Sequence, residues 1–406
     1  MKEPRCTSVV PFKNLWEIAM EFMGRIDEEL IEFNLVYAYI TYLISKIERI
    51  PRKSISRLVF LSCFDEIGKL YAGGDNSSPL IETYLFLKYF SPVKNFAEVL
   101  LYEEKDKLTP YNVLGVTHAM CKQYTKYLLE YNDKNIAYEK IVEEKKKYTF
   151  VDITALKVLV DRVDFFYEIH SMHYKTIVYK YISRTIFNGK EKDKFFTMLS
   201  SLFEMYSVQT LYHSKLTAYI AYIIAKKMKL PNNRCKKIYV AGLSHDLGKV
   251  CIPLEILEKP DKLTDKEYKV MKKHVEFTKD ILKNKMDYDV IEIAYRHHEK
   301  IDGSGYPNGL NGDYLTIDQK ILQVADIISA LIAKRSYKEA WDINKTIAIL
   351  DDMVDNNKLD KTVVDIFKKN DKKIIKLTSS STNQADKIYK KLNKEREQLM
   401  QKRSSQ

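Results

Sequence analysis

The sequence predicts an all-α protein built around a duplicated helical domain. Three observations carry that expectation. Apolar residues recur with a period near 3.6 along most of the 406 residues, and no convincing stretch alternates with period two. Breakers are sparse and fall between the periodic stretches, as at Pro231, Pro253 and Pro260. The chain also resembles itself. Shifted by 180 residues, FNLVYAYITYLISKIERIPRKSISRLVFLSCFDEIGKL (33–70) lies without a gap over HSKLTAYIAYIIAKKMKLPNNRCKKIYVAGLSHDLGKV (213–250). Nine of the 38 aligned positions are identical, Pro51, Gly68 and Lys69 among them, as a duplicated unit requires.

Taken in order, residues 1–147 hold the first copy, and 148–195, which include ALKVLVDRVDFFYEIH, read as a helical linker. Residues 196–376 hold the second copy. Within it LTAYIAYIIAKKMKL (216–230), KVMKKHVEFTKDILK (269–283) and KILQVADIISALIAK (320–334) each carry an apolar stripe at helical spacing. Residues 377–406 form a basic tail that opens on the breaker-like TSSSTNQ (378–384).

Composition narrows the function classes. Apolar residues make up 45% of the chain, enough for real cores. The net charge is +12, and Asn357–Gln406 supplies +8 of it (14 Lys/Arg against 6 Asp/Glu). Those lysines are not interleaved with aromatics, so a solvated tail is expected rather than a nucleic-acid surface. The five cysteines are scattered without a CxxC pair and read as free cytosolic thiols. MKEPRCTSVVPF lacks a signal-peptide layout, and the most apolar stretch, FNLVYAYITYLISKI from Phe33, suits a buried helix better than a membrane span. A cytoplasmic protein is expected.

Chemistry concentrates in the second copy. Five of the eight histidines, His213, His245, His274, His297 and His298, fall within 86 residues. His274 shares a helix face with Val270, Phe277 and Ile281 and should point inward, and Asp326 interrupts the apolar LQVADIISAL. Buried imidazoles and carboxylates cost several kcal/mol unless compensated, and a divalent cation does so at once. Imidazole with carboxylate and no thiolate suits iron, manganese, nickel or zinc. Seven candidate ligands are too many for one ion, so two metals bridged by a carboxylate such as Asp246 are expected, the usual device for phosphoester hydrolysis. The first copy has Phe33, Asp65 and Glu66 at the places of His213, His245 and Asp246, with Glu103 and Glu104 near those of His297 and His298, so it keeps the scaffold without the imidazoles. His170 and His173 have HxxH spacing but no third ligand, and read as surface or packing residues.

HDLGK (245–249), KKHVEF around His274, HHEKIDGSGYPNGLNG (297–312), VAD (324–326) and RSYK (335–338) together resemble the HD-GYP family of cyclic dinucleotide phosphodiesterases, over about residues 200–350. The resemblance implies tandem HD-type helical domains, the first degenerate, and a metal centre held by His213, His245, Asp246, His274, His297, His298 and Asp326. It implies that Lys249 approaches the scissile phosphate, that Gly305 and Tyr306 of the glycine-rich loop line the substrate pocket, and that Arg335 and Lys338 grip phosphates. The pattern departs at Gln209, a glutamate in three-metal members, which favours two metals. Ser207 and Ser329 replace frequent aspartates.

The expected activity is hydrolysis of cyclic di-GMP to linear pGpG and then GMP, a metal-bridging hydroxide attacking phosphorus in line. The competing expectations are a cyclic dinucleotide receptor with little turnover, and a hydrolase of another cyclic dinucleotide such as 3′3′-cyclic GMP-AMP. The first copy is expected to serve a protein partner or self-association.

Overall fold

A computed structural model describes residues 9–70, 78–101, 110–184, 189–205, 213–332 and 343–404. Among these the chain is helical, as expected, with one isolated bridge between Asp302 and Asn311 and no sheet. The helices begin with α1 (Phe12–Ile26), α2 (Glu28–Ile47), α3 (Arg52–Cys63), α4 (Pro79–Phe90), α5 (Pro110–Tyr131), α6 (Lys134–Glu143), α7 (Phe150–Val160), α8 (Val163–His170) and α9 (His173–Arg184). They continue with α10 (Gly189–Met205), α11 (His213–Lys227), α12 (Asn232–Ser244), α13 (Leu254–Leu257), α14 (Asp265–Met271), α15 (His274–Leu282) and α16 (Tyr288–Tyr295). The last are α17 (Ile317–Ile332), α18 (Ile343–Asp355), α19 (Lys361–Lys368) and α20 (Asp371–Ser404).

The chain folds as two compact units, and their borders differ from the division expected from the sequence. One unit comprises residues 27–194 and 390–406, and the other residues 1–26 and 195–389. Helix α1, assigned by sequence to the first copy, belongs to the second. Its apolar face buries Leu15, Trp16, Ile18, Phe22 and Met23, and it packs on α15 and the 3₁₀ turn Leu247–Cys251. Phe22 meets Phe203 at 4.3 Å between ring centroids, and Asn14 Nδ2 donates to the Lys285 carbonyl at 2.6 Å. The expected linker is likewise no connector: α7 and α9 pack on α2 and complete the first unit. The tail does not break at 378–384, because Ser, Thr, Asn and Gln are weak helix formers rather than breakers, and α20 runs through. Its end is anchored: Glu395 pairs with Lys88 at 2.5 Å, and Arg396 makes a two-pronged ion pair with Glu82.

Helix α2 is long and apolar enough to cross a membrane by length and composition, and most of it is buried inside its own unit. Asp27 caps its start by accepting from Leu30 N at 2.9 Å.

The two copies match in backbone detail. Helices α2 and α11 end on left-handed residues, Arg49 (φ 58°) and Lys229 (φ 60°), 180 positions apart. The next amides reach back alike, Ile50 N to Ser45 O at 2.9 Å and Leu230 N to Ala225 O at 3.1 Å, and Pro51 and Pro231 then start α3 and α12. Gly248 donates from N to Thr278 Oγ1 at 2.8 Å, and Gly68 does the same to Thr83 at 2.9 Å. A Cβ at Gly248 would stand 2.0 Å from His274 O, and at Gly68 2.0 Å from Pro79 O. This contact fixes the start of α15 against the turn that follows His245.

Where the second copy holds ligands, the first holds an ion-pair cluster. Lys122 of α5 lies 3.0 Å from Asp65 and also pairs with Glu66, which Lys69 meets at 2.6 Å. Asp65 is 2% exposed. Burial pushes its carboxyl upward, opposed by Lys122.

Two outcomes check this account. Phe22→Ala should lower the stability of the unit holding residues 195–389 by about 3–5 kcal/mol, read as an earlier thermal transition. Lys122→Met should destabilise the other unit by about 3 kcal/mol, because it strands buried Asp65 without its cation; an unchanged melting profile would mean the cluster contributes nothing.

Candidate metal centre

The site is assembled from helix ends. His213 opens α11, His245 closes α12, His274 opens α15, His297 and His298 follow α16, and Asp326 sits within α17. Helix ends leave backbone carbonyls free to hold side chains. His245 Nδ1 lies 2.8 Å from Gly242 O, His274 Nδ1 2.7 Å from Met271 O, and His297 Nδ1 2.6 Å from Ala294 O. A carbonyl only accepts, so each Nδ1 carries a proton and each Nε2 faces inward. His213 is held differently. Ser329 Oγ donates to Asp326 O at 2.8 Å and so accepts from His213 Nδ1 at 3.0 Å, with Thr217 Oγ1 2.5 Å away. The serine at a frequent aspartate position therefore orients a candidate ligand.

Asp246 is the hub. Its Oδ2 lies 3.1 Å from His245 Nε2 and 3.7 Å from His213 Nε2. Its Oδ1 lies 3.4 Å from His274 Nε2 and 3.9 Å from His297 Nε2. Asp326 Oδ1 is 2.9 Å from His213 and 3.5 Å from His245, and its Oδ2 is 3.9 Å from His298 Nδ1. Ligand atoms of His213, His245 and Asp246 lie within 4.8 Å of one another, as do those of His274, His297 and His298. The seven residues named from sequence thus converge on one site, as two triads with Asp246 of the first facing the second and Asp326 beside both.

The donor set fits divalent cations. Nε2 of His274 and of His297 and Oδ1 of Asp246 are buried and make no hydrogen bond, an arrangement that is expensive unless a cation completes it. Burial holds His274 down to about 4 and His298 to about 3, so both imidazoles are neutral near pH 7. Burial favours protonated carboxyls, yet the surrounding imidazoles and Lys249 keep Asp246 well below the usual range, and His213 and His245 do the same for Asp326. In His245 burial works against the proton, but the two carboxylates overcome it and raise the ring to about 10.

The surrounding groups complete the pocket. Lys249 Nζ lies 2.6 Å from Asp246 Oδ2. Tyr306 stacks over His298 at 4.7 Å between centroids. Its N donates to His298 O at 3.1 Å, and Gly305 lets the loop approach so closely that a Cβ there would lie 2.4 Å from Lys300 N. Arg335, Lys338, Ser207, Gln209, Glu103 and Glu104 lie outside the described residues. His170 and His173 are exposed, in the other unit.

Sequence reasoning missed Glu299. Buried at 1% exposure, it accepts from Asn308 N at 2.7 Å and Leu310 N at 2.9 Å and so clips the glycine-rich loop. Its only signal was an acid beside a histidine pair. Tyr268 of α14 and Lys272 just past its end were missed as well: Lys272 lies 5.1 Å from the Tyr268 ring and 5.8 Å from the Tyr306 ring. On paper they read as an ordinary solvated helix face.

Cation loading should displace the His245 proton, since that ring is protonated below about 10 and a ligand must offer a lone pair. Calorimetric titration with Mn²⁺ in HEPES and in Tris should show release of about one proton, and affinity should rise about tenfold per pH unit between about pH 6 and 9. A heat independent of buffer would contradict this.

Residues 197–363 match the family model described as HD domain. The cyclic di-GMP phosphodiesterase response regulator RpfG of Xanthomonas campestris pv. campestris is 38% identical over 136 residues, 33% of this chain and 36% of that protein. The 3′3′-cGAMP-specific phosphodiesterase 2 of Vibrio cholerae serotype O1 is 42% identical over 146 residues, 35% of this chain and 28% of that protein. The chain thus spans well under half the length of these curated relatives. Among solved structures, the cyclic GMP-AMP specific phosphodiesterase V-cGAP3 of V. cholerae aligns with a TM-score of 0.53 at 16% identity, over 87% of this chain and 96% of that one, and so shares the fold.

Proposed function

We propose that residues 197–363, which match the HD domain family model, form an HD-GYP-type domain, and that the chain is a metal-dependent phosphodiesterase hydrolysing cyclic di-GMP to pGpG and then GMP. The observation that carries the reading is Asp246, whose two oxygens face two separate groups of imidazoles. His213, His245 and Asp326 would hold one cation, His274, His297 and His298 the other, with Asp246 shared. Two divalent ions, iron or manganese in preference to nickel or zinc, would supply Lewis acidity and acidify a water there.

The chain's own groups do the rest. The ionised carboxylates keep the cluster anionic enough to retain cations in contact with phosphate. Lys249 is 23% exposed beside Asp246 and presents its ammonium to a non-bridging phosphate oxygen as charge builds there. Tyr306, clipped through Glu299, offers a ring for a base or sugar, and Lys272 adds positive charge at the same rim. Arg335 and Lys338 are proposed as phosphate contacts, and a cytoplasmic setting as the place of action.

A second reading has a specific basis: the 42% identical relative is named for 3′3′-cGAMP, so the hybrid dinucleotide is the alternative substrate. The test is product chromatography after the full chain, loaded anaerobically with Fe²⁺ or Mn²⁺, meets each dinucleotide. Conversion of cyclic di-GMP supports the proposal, preferential conversion of the hybrid moves the substrate, and binding of both without turnover replaces the enzyme with a receptor. Lys249→Ala should lower kcat by about 10²–10³-fold with metal content unchanged.

A further inference from the structure

Two acids of the first unit meet at one hydroxyl. Glu48 stands one residue past the end of α2, and Asp152, 2% exposed, lies in the opening turn of α7. Between them is Thr117 of α5. Its Oγ1 is 2.7 Å from Asp152 Oδ1, 3.1 Å from Glu48 Oε2 and 3.3 Å from the Val113 carbonyl.

A hydroxyl donates one proton, so it cannot satisfy two carboxylates at once. Asp152 makes the shorter contact, and its Oδ2 accepts from Thr149 N at 2.9 Å and Thr149 Oγ1 at 2.5 Å, so both its oxygens are acceptors. The proton that completes the cluster therefore belongs on Glu48, whose Oε1 is buried without a hydrogen bond. Ionised, Glu48 would place a second anion on the same hydroxyl, at a helix C-terminus where the backbone carbonyls repel it too. Burial and the neighbouring Asp152 push its carboxyl up to about 8.

The charges nearby do not relieve it. Lys46 of α2 lies over the Tyr42 ring at 5.3 Å, and Arg49, Arg52 and Lys53 are exposed. Helix α5 adds Cys121, whose thiol burial and Glu48 push up, and α9 turns Tyr174 to Glu32 and Tyr181 to the Tyr42 ring. No ammonium or guanidinium acts on Glu48 among the described residues. The scaffold does not require an acid there, since Met228 holds the matching place 180 residues on.

We propose that a proton held between Glu48 and Asp152 latches α7 onto α2 and α5, and that its loss above neutral pH releases this corner, a pH-responsive element in the unit without the metal centre. It stands independently of the catalytic reading, since it uses no residue of that centre. The sign follows from the direction of the shift. A carboxyl raised in the fold stabilises it fully below the ordinary glutamate range, and that contribution is lost as pH rises through about 8.

The test is hydrogen exchange of the full chain, read by mass spectrometry on peptides from residues 149–160 and corrected for the pH dependence of the intrinsic rate. Protection there should fall by about tenfold or more between pH 6 and pH 9. Glu48→Gln keeps the shape with a permanent donor, and Glu48→Met copies the other unit; either should hold the protection constant to within about twofold. Infrared difference spectra over the same interval should show the wild type losing a protonated-carboxyl band that Glu48→Gln lacks. The proposal is overturned if wild-type protection does not depend on pH, or if both variants keep the wild-type dependence. It is equally overturned if the infrared band is the same in wild type and Glu48→Gln.

Discussion

The second unit is organised around the burial of two ionised carboxylates within a shell of imidazoles. Asp246 and Asp326 are kept charged in a place where burial alone would protonate them, and His274 and His297 point lone pairs rather than protons inward. That combination is electrostatically incomplete and calls for cations. The rest of the unit makes the arrangement rigid. The i−3 carbonyls at helix ends hold three rings, Ser329 holds a fourth, and the tight passage at Gly248 docks α15 so that His274 meets Asp246.

The first unit meets the same demand by another route. On an equivalent scaffold, down to left-handed residues at matching positions, the acids Asp65 and Glu66 surround the ammonium of Lys122. The compensating charge is thereby part of the chain.

The helical class, the duplication and the seven candidate ligands were legible in the sequence because each depends on the spacing of residues. His274 could be placed inward from Val270, Phe277 and Ile281 alone, and HDLGK joined a histidine and a carboxylate to the glycine that lets α15 approach. The unit borders were not legible. The aromatic face of α1 finds Phe195 and Phe203 far along the chain, and periodicity says that a face is apolar without saying what it covers. Helix α7 packs on α2 for the same reason. Glu299 escaped because its role is to accept from the backbone of a loop, which leaves no pattern in side-chain spacing.

The placement of α1 bears on how the protein is made. Its apolar face belongs against α15 and the turn at Leu247–Cys251, so α1 leaves the ribosome with no native surface to rest on until those residues are synthesised. At ordinary elongation rates that interval is on the order of ten seconds or more. Meanwhile Trp16 and Phe22 stay available to chaperones or to neighbouring nascent chains, and residues 27–194 are synthesised before α1 is sheltered.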